Sequence, residues 1–76
     1  MEEIDLHGMS VVEAKKVLEK LLASLPSEVK ELRVIHGYFG GNELKNLVQS
    51  RNGLRSKRIM ARKYTKNPGE TILLLV

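Results

Sequence analysis

A chain of 76 residues has room for one domain and one core. It has no cysteine, so disulfides and cysteine-bound zinc are excluded; its longest apolar run, Ile72 to Val76, is far short of the roughly 20 residues of a membrane span. The net charge of +4 is unevenly spread: residues 44–69 hold no Asp or Glu but carry Lys45, Arg51, Arg55, Lys57, Arg58, Arg62, Lys63 and Lys66. Such a basic half is either the footprint of a polyanion partner or a solvated surface.

In chain order, Ile4 to His7 is a short strand, and Met1-Glu2-Glu3 before it has no signal-peptide character. Ser10 and Glu13 have the S-x-x-E spacing of a capping box and open a helix. Ala14, Val17, Leu18, Leu21, Leu22 and Leu25 form its apolar stripe, and Pro26 stops it. Leu32 to His36 is the second strand, leading into a glycine-rich turn, Gly37-Tyr38-Phe39-Gly40-Gly41. A shorter helix runs from Glu43 to Arg51, with Asn42 as N-cap and Asn52-Gly53 as a left-handed stop. Lys57 to Tyr64 suits a strand whose alternation is blurred by charge, and Asn67-Pro68-Gly69 is a turn. Thr71 to Val76 reads as a strand buried on both faces, hence central. The order β-α-β-α-β-β, with right-handed crossovers, predicts an α/β two-layer sandwich: a four-stranded mixed sheet with both helices on one face. The open face is then less apolar or takes a partner.

Two strand ends repeat: Ile4-Asp5-Leu6-His7-Gly8 and Arg33-Val34-Ile35-His36-Gly37. Strands joined by one crossover share a carboxyl edge, where open α/β sheets bind ligands. His7 and His36 are therefore expected as spatial neighbours, with two helix starts offering amides to a phosphate. Asp5 shares a face with His7 and would orient its imidazole. Two imidazoles flanking a phosphodiester would divide acid and base roles. RNA provides an internal 2′-hydroxyl, so no metal is compulsory; DNA hydrolysis usually relies on divalent ions held by several carboxylates, and only Asp5, with Glu70 a distant second, is at hand. A divalent ion such as Mg²⁺ stays open as a cofactor. The bland readings are that Asp5 caps a turn, that each His-Gly is incidental, that Tyr38-Phe39 covers a core edge instead of stacking on a base, and that the basic residues are plain surface.

These residues resemble the Smr (small MutS-related) domain family. Ile4-Asp5-Leu6-His7-Gly8 matches its L-D-L-H-G strand end, followed by Glu13-Ala14 in the helix. His36-Gly37, Gly40 and Leu44-Lys45 match its H-G-x-G-x-G-x-L-R signature with one inserted residue near Phe39, Asn42 for the third glycine and Lys45 for the arginine. Gly69-Glu70-Thr71 matches a closing G-x-T. The likeness covers residues 1–76 as a single domain. It implies a fold like the carboxyl-terminal domain of translation initiation factor three, nucleic-acid binding and, in several members, endonuclease activity on DNA or RNA.

Carried over by position and joined to the basic half, the expected catalytic residues are Asp5, His7 and His36. The expected nucleic-acid contacts are Gly37, Gly40, Lys45, Arg55, Arg58 and Arg62. Asn42 is compatible with a left-handed turn, whereas Lys45 lacks the planar bidentate grip of arginine. The leading expectation is a cytoplasmic endonuclease with DNA or RNA as partner and no membrane. The alternatives are a non-catalytic module, such as the carboxyl-terminal domain of a larger MutS-like protein, and a protein-interaction domain docking through its open sheet face.

Overall fold

The computed structural model describes residues 2–37 and 42–76. The elements follow the expected order: β1 (Glu2–Asp5), α1 (Val11–Ser24), β2 (Glu31–Ile35), α2 (Glu43–Gln49), β3 (Ile59–Tyr64) and β4 (Glu70–Leu75). They form a four-stranded mixed sheet of order β1-β2-β4-β3. Strand β1 is parallel to β2, and β4 is antiparallel to both β2 and β3. All three strands other than β4 thus end at one edge of the sheet, with Asp5, Ile35 and Tyr64, and β4 starts there. The edge strands are β1 and β3, and β4 is central as its unbroken apolar run requires.

The first helix begins as its sequence specifies. Glu13 donates its backbone N–H to Ser10 Oγ at 3.2 Å, and the Ser10 N–H reaches Glu13 Oε1 at 3.4 Å, closing the capping box. Its end is set by Pro26, which leaves the capping residue Leu25 in an extended conformation. Ala14, Leu18 and Leu22 are buried against Leu6, Leu32, Val34, Leu73 and Leu75 of the sheet, with Leu47 and Val48 of α2 and Leu54 completing a single core. Both helices therefore pack on one face. The other face carries Glu3, Asp5, Arg33, Lys63 and Glu70, with Ile72 buried among them. Arg33 bridges two flanking carboxylates there, Glu3 at 3.4 Å and Glu70 at 3.6 Å.

Two local expectations are corrected. Helix α2 ends at Gln49, not Arg51, with Ser50 as its C-cap. Gly53 is not a left-handed stop: the glycines with positive φ among the described residues are Gly8 and Gly37. Gly53 is required for another reason, because a Cβ there would lie 2.1 Å from the Leu47 carbonyl oxygen. Asn42 caps α2 without a side-chain hydrogen bond and has φ −109°, so it replaces glycine without adopting a left-handed conformation.

Strand β3 contains a bulge. Ile59 pairs with Leu75, but Ala61 pairs with Leu74, leaving Met60 as the extra residue. A bulge inverts the side-chain parity that follows it. Ile59 faces the core, and after the bulge Arg62 and Tyr64, opposite Leu73 and Thr71, share that helix-side face. In an unbroken strand Ala61 and Lys63 would occupy it. The charge-blurred alternation of this segment is the sequence trace of that inversion.

Candidate nucleic-acid interface

The two His-Gly turns meet at the carboxyl edge of β1 and β2, but their histidines have different surroundings. In the first turn Leu6 is fully buried and anchors the chain, and its N–H continues the parallel ladder to Ile35 O at 2.7 Å. Asp5 Oδ1 accepts the backbone N–H of His7 at 2.9 Å. This is an Asx-type turn that ends the strand and, with Met9 N–H donating to Leu6 O, swings the chain into α1. Gly8, at φ +86°, occupies the left-handed position that this turn needs. Among the described residues the Asp5 carboxylate makes no hydrogen bond to the His7 imidazole; it holds the loop that carries the ring. His7 itself is exposed.

His36 is different. It is only 4% exposed, on the same face as Leu32 and Val34. Its Nδ1 lies 2.9 Å from the Gly37 carbonyl oxygen, which can only accept, so Nδ1 carries the proton of this bond. In the neutral ring, Nε2 then accepts from the Thr71 hydroxyl at 2.9 Å, and Thr71 Oγ1 accepts in turn from Gln49 Nε2 at 2.9 Å. Both nitrogens are engaged within the protein. The chain Gln49–Thr71–His36–Gly37 ties α2, β4 and the end of β2 together.

Gly37 has φ +74°, and a Cβ placed there would sit 3.6 Å from His7 Cδ2, so the His7 ring lies directly beside this glycine. The N–H groups of His36 and Gly37 both donate to the Gly69 carbonyl at 2.9 Å. Gly37 thus offers the His7 ring a flat backing, while the His36 and Gly37 amides are already satisfied. Among the described residues, the amides of His36 and Gly37 are therefore not free to cradle a phosphate as the sequence suggests. At the α1 start the Glu13 amide is taken by Ser10 Oγ and the Ser10 amide by the Glu13 carboxylate, whereas Asn42 at the α2 start makes no side-chain cap hydrogen bond.

The basic residues divide. Lys45 lines a groove of about 290 Å³ on the His edge; exposed Lys66 lies in the β3–β4 turn beside it, and exposed Lys63 lies near the end of β3 on the open face of the sheet. Arg58 lies at the opposite end, where its guanidinium donates to the carbonyls of Leu22, Leu25, Pro26 and Val29 at 2.6–3.2 Å. Arg62 donates from Nε to Val48 O at 2.7 Å and from Nη2 to Ser50 O at 2.9 Å. These two arginines close the C-terminal ends of α1 and α2, where cations and donors meet orphan carbonyls and the negative helix pole. Arg55 is exposed on the loop after α2, its backbone N–H held by Glu19 at 2.8 Å, and is not brought to the His7 edge. Gly40, with Tyr38 and Phe39, lies outside the described residues. The sequence marks Thr71 through its G-x-T match without assigning it a role in the site, and no local pattern marks Gln49.

Among the described residues, no three His, Asp or Glu side chains converge on a point that would hold a metal ion. Asp5 is the carboxylate nearest His7 in the chain. Nor, among them, is any helix long and apolar enough to cross a membrane.

Comparison with known proteins agrees with this architecture. The family model described as Smr domain matches residues 4–71. A crystal structure of the Smr domain of Thermus thermophilus MutS2 superposes with a TM-score of 0.75 at 25% identity, covering 100% of this chain and 99% of that one. No curated protein sequence matches. With the family model spanning both His-Gly turns and the whole sheet down to Thr71, the chain belongs to the Smr domain family.

Proposed function

We propose that this domain binds nucleic acid at the carboxyl edge of β1 and β2 and cleaves a phosphodiester bond there, with His7 as the single imidazole that meets the substrate. The observation that carries this reading is the contrast between an exposed His7 and a His36 that is 4% exposed and bonded at both nitrogens. The acid–base pair of histidines expected from the repeat gives way to one reacting ring and one positioning ring. His36 holds the Gly37 turn in place, and the turn backs His7. Asp5 positions His7 through its backbone. Lys45 and Lys66 supply positive charge for phosphates along the same edge, and binding of this kind weakens steeply with salt.

The site chemistry fits RNA. His7 takes the proton of a ribose 2′-hydroxyl, the 2′-oxygen attacks the adjacent phosphorus, and the bond to the 5′-oxygen breaks. The 5′-oxygen leaves with a proton from water, giving a 2′,3′-cyclic phosphate and a 5′-hydroxyl end. A general base of this sort contributes roughly 10²–10⁴-fold. Labelled RNA and nicked DNA, with and without EDTA, test the assignment. His7→Ala is expected to abolish cleavage while leaving affinity nearly unchanged, and Asp5→Ala to reduce it. Cleavage that persists unaltered in His7→Ala removes the catalytic claim.

A second reading has its own support. One exposed imidazole with no partner acid among the described residues, on a sheet edge that carries Lys45 and Lys66, also suits a domain that holds nucleic acid without cutting it. Salt-sensitive binding with no cleavage of any substrate selects this reading.

A further inference from the structure

The Met60 bulge turns Tyr64 toward α2, and this residue is 62% exposed at the end of an edge strand. It lines the groove of about 290 Å³ that also takes Lys45, Gln49, Asn67 and Pro68. Gln49 belongs both to this groove and to the His36–Thr71 network, so the groove adjoins the turn that backs His7.

Its polar lining is arranged for a ligand with both charge and an aromatic face. Asn67 Oδ1 accepts the Gly69 N–H at 2.8 Å, and among the described residues its amide NH₂ has no protein acceptor. Gln49 donates to Thr71, leaving its carbonyl oxygen as an acceptor. Glu70, the one carboxylate in the lining, is engaged by the Thr65 hydroxyl at 2.9 Å and by Arg33 at 3.6 Å, which offsets its charge toward an incoming anion. Lys45 is the cation of the groove.

We propose that this groove takes one unpaired nucleobase stacked on Tyr64, with its neighbouring phosphate on Lys45 and the Asn67 and Gln49 amides on the base edge. Bases stack on exposed aromatic rings irrespective of sequence, and a paired base has no free face to offer. The domain therefore prefers single-stranded segments next to its His7 edge. This rests on the nucleic-acid-binding reading above.

The chain has no tryptophan, so Tyr64→Trp introduces a unique reporter at the stacking position. It is titrated with RNA and DNA single strands of identical sequence, about 10 nucleotides long, within the usual footprint of single-strand grooves. A blunt duplex of the same sequence is the third arm. Binding is followed independently by anisotropy of an end-labelled strand. Saturable quenching of tryptophan emission by the single strands and not by the duplex is expected. Tyr64→Leu is expected to weaken single-strand binding by about tenfold or more, and Tyr64→Phe to restore it. Duplex affinity then changes by less than about twofold; melting curves confirm that each variant is folded. Quenching by RNA alone or by both strands supports the subsite and tells whether the sugar is read.

Equal quenching by the duplex overturns the proposal, as does Tyr64→Leu binding single strands like the unaltered domain. In the latter case, continued strand binding leaves the broader reading standing. If the unaltered domain binds no strand at all, both readings fall together.

Discussion

Thr71→Val tests the network behind the candidate site. The substitution keeps the shape of a side chain that is 0% exposed but removes the hydroxyl shared by His36 and Gln49. Gln49 is half-buried and regains water, whereas His36, at 4% exposure, loses the partner of Nε2 with no solvent to replace it. A buried polar atom left unsatisfied costs about 1–3 kcal/mol, so a loss of about 2 kcal/mol is expected. A domain of 76 residues has roughly 4–11 kcal/mol in total, so this is a large fraction. With about 4–8 °C per kcal/mol at this size, Tm falls by roughly 8–16 °C. Urea unfolding followed by circular dichroism measures it, and Thr71→Ser provides the control. Serine keeps the hydroxyl and loses a methyl, so it should cost only about 1 kcal/mol. If the hydroxyl were idle, the order would invert, because valine is the more apolar side chain. A Thr71→Val protein as stable as the original, or more stable than Thr71→Ser, refutes the assignment of His36 as a bonded positioning ring.

Arg58→Ala removes the guanidinium that caps α1 and should destabilise the domain by about 2 kcal/mol, while the affinity of the folded protein for nucleic acid stays unchanged; unfolding curves and anisotropy titrations read the two effects separately. A weaker affinity at full folding would return Arg58 to the binding surface. Gly53→Ala drives a Cβ into the Leu47 carbonyl and should cost about 3 kcal/mol or more, against about 1–2 kcal/mol for Gly8→Ala, where the site is open and only the left-handed backbone is strained. Comparing the two urea midpoints checks the order.

The sheet topology was legible in the sequence because each element carries its own local chemistry. The Ser10–Glu13 box and Pro26 bound α1, and its stripe of Ala14, Leu18 and Leu22 names the buried face. The unbroken apolar run of β4 identifies a central strand, and right-handed crossovers leave little choice for the rest. The repeated His-Gly ends also predicted correctly that both turns share one edge, since parallel neighbours joined by one crossover have their carboxyl ends together.

The division of labour at that edge depended on tertiary contacts. His7 and His36 read alike in one dimension, yet parity places His36 on the helix-covered face and leaves His7 exposed at the turn. Arg58 and Arg62 read as phosphate contacts because charge alone does not reveal which carbonyls lie nearby; distant helix ends claim both. A single extra residue at Met60 decides whether Tyr64 points toward α2 or the open face, and whether a strand bulges is set by its pairing with β4. Local sequence thus determined the elements and their order, through propensity, capping and hydrophobic period. Which polar groups reach water, and which are engaged by a partner remote in the chain, was decided by packing alone.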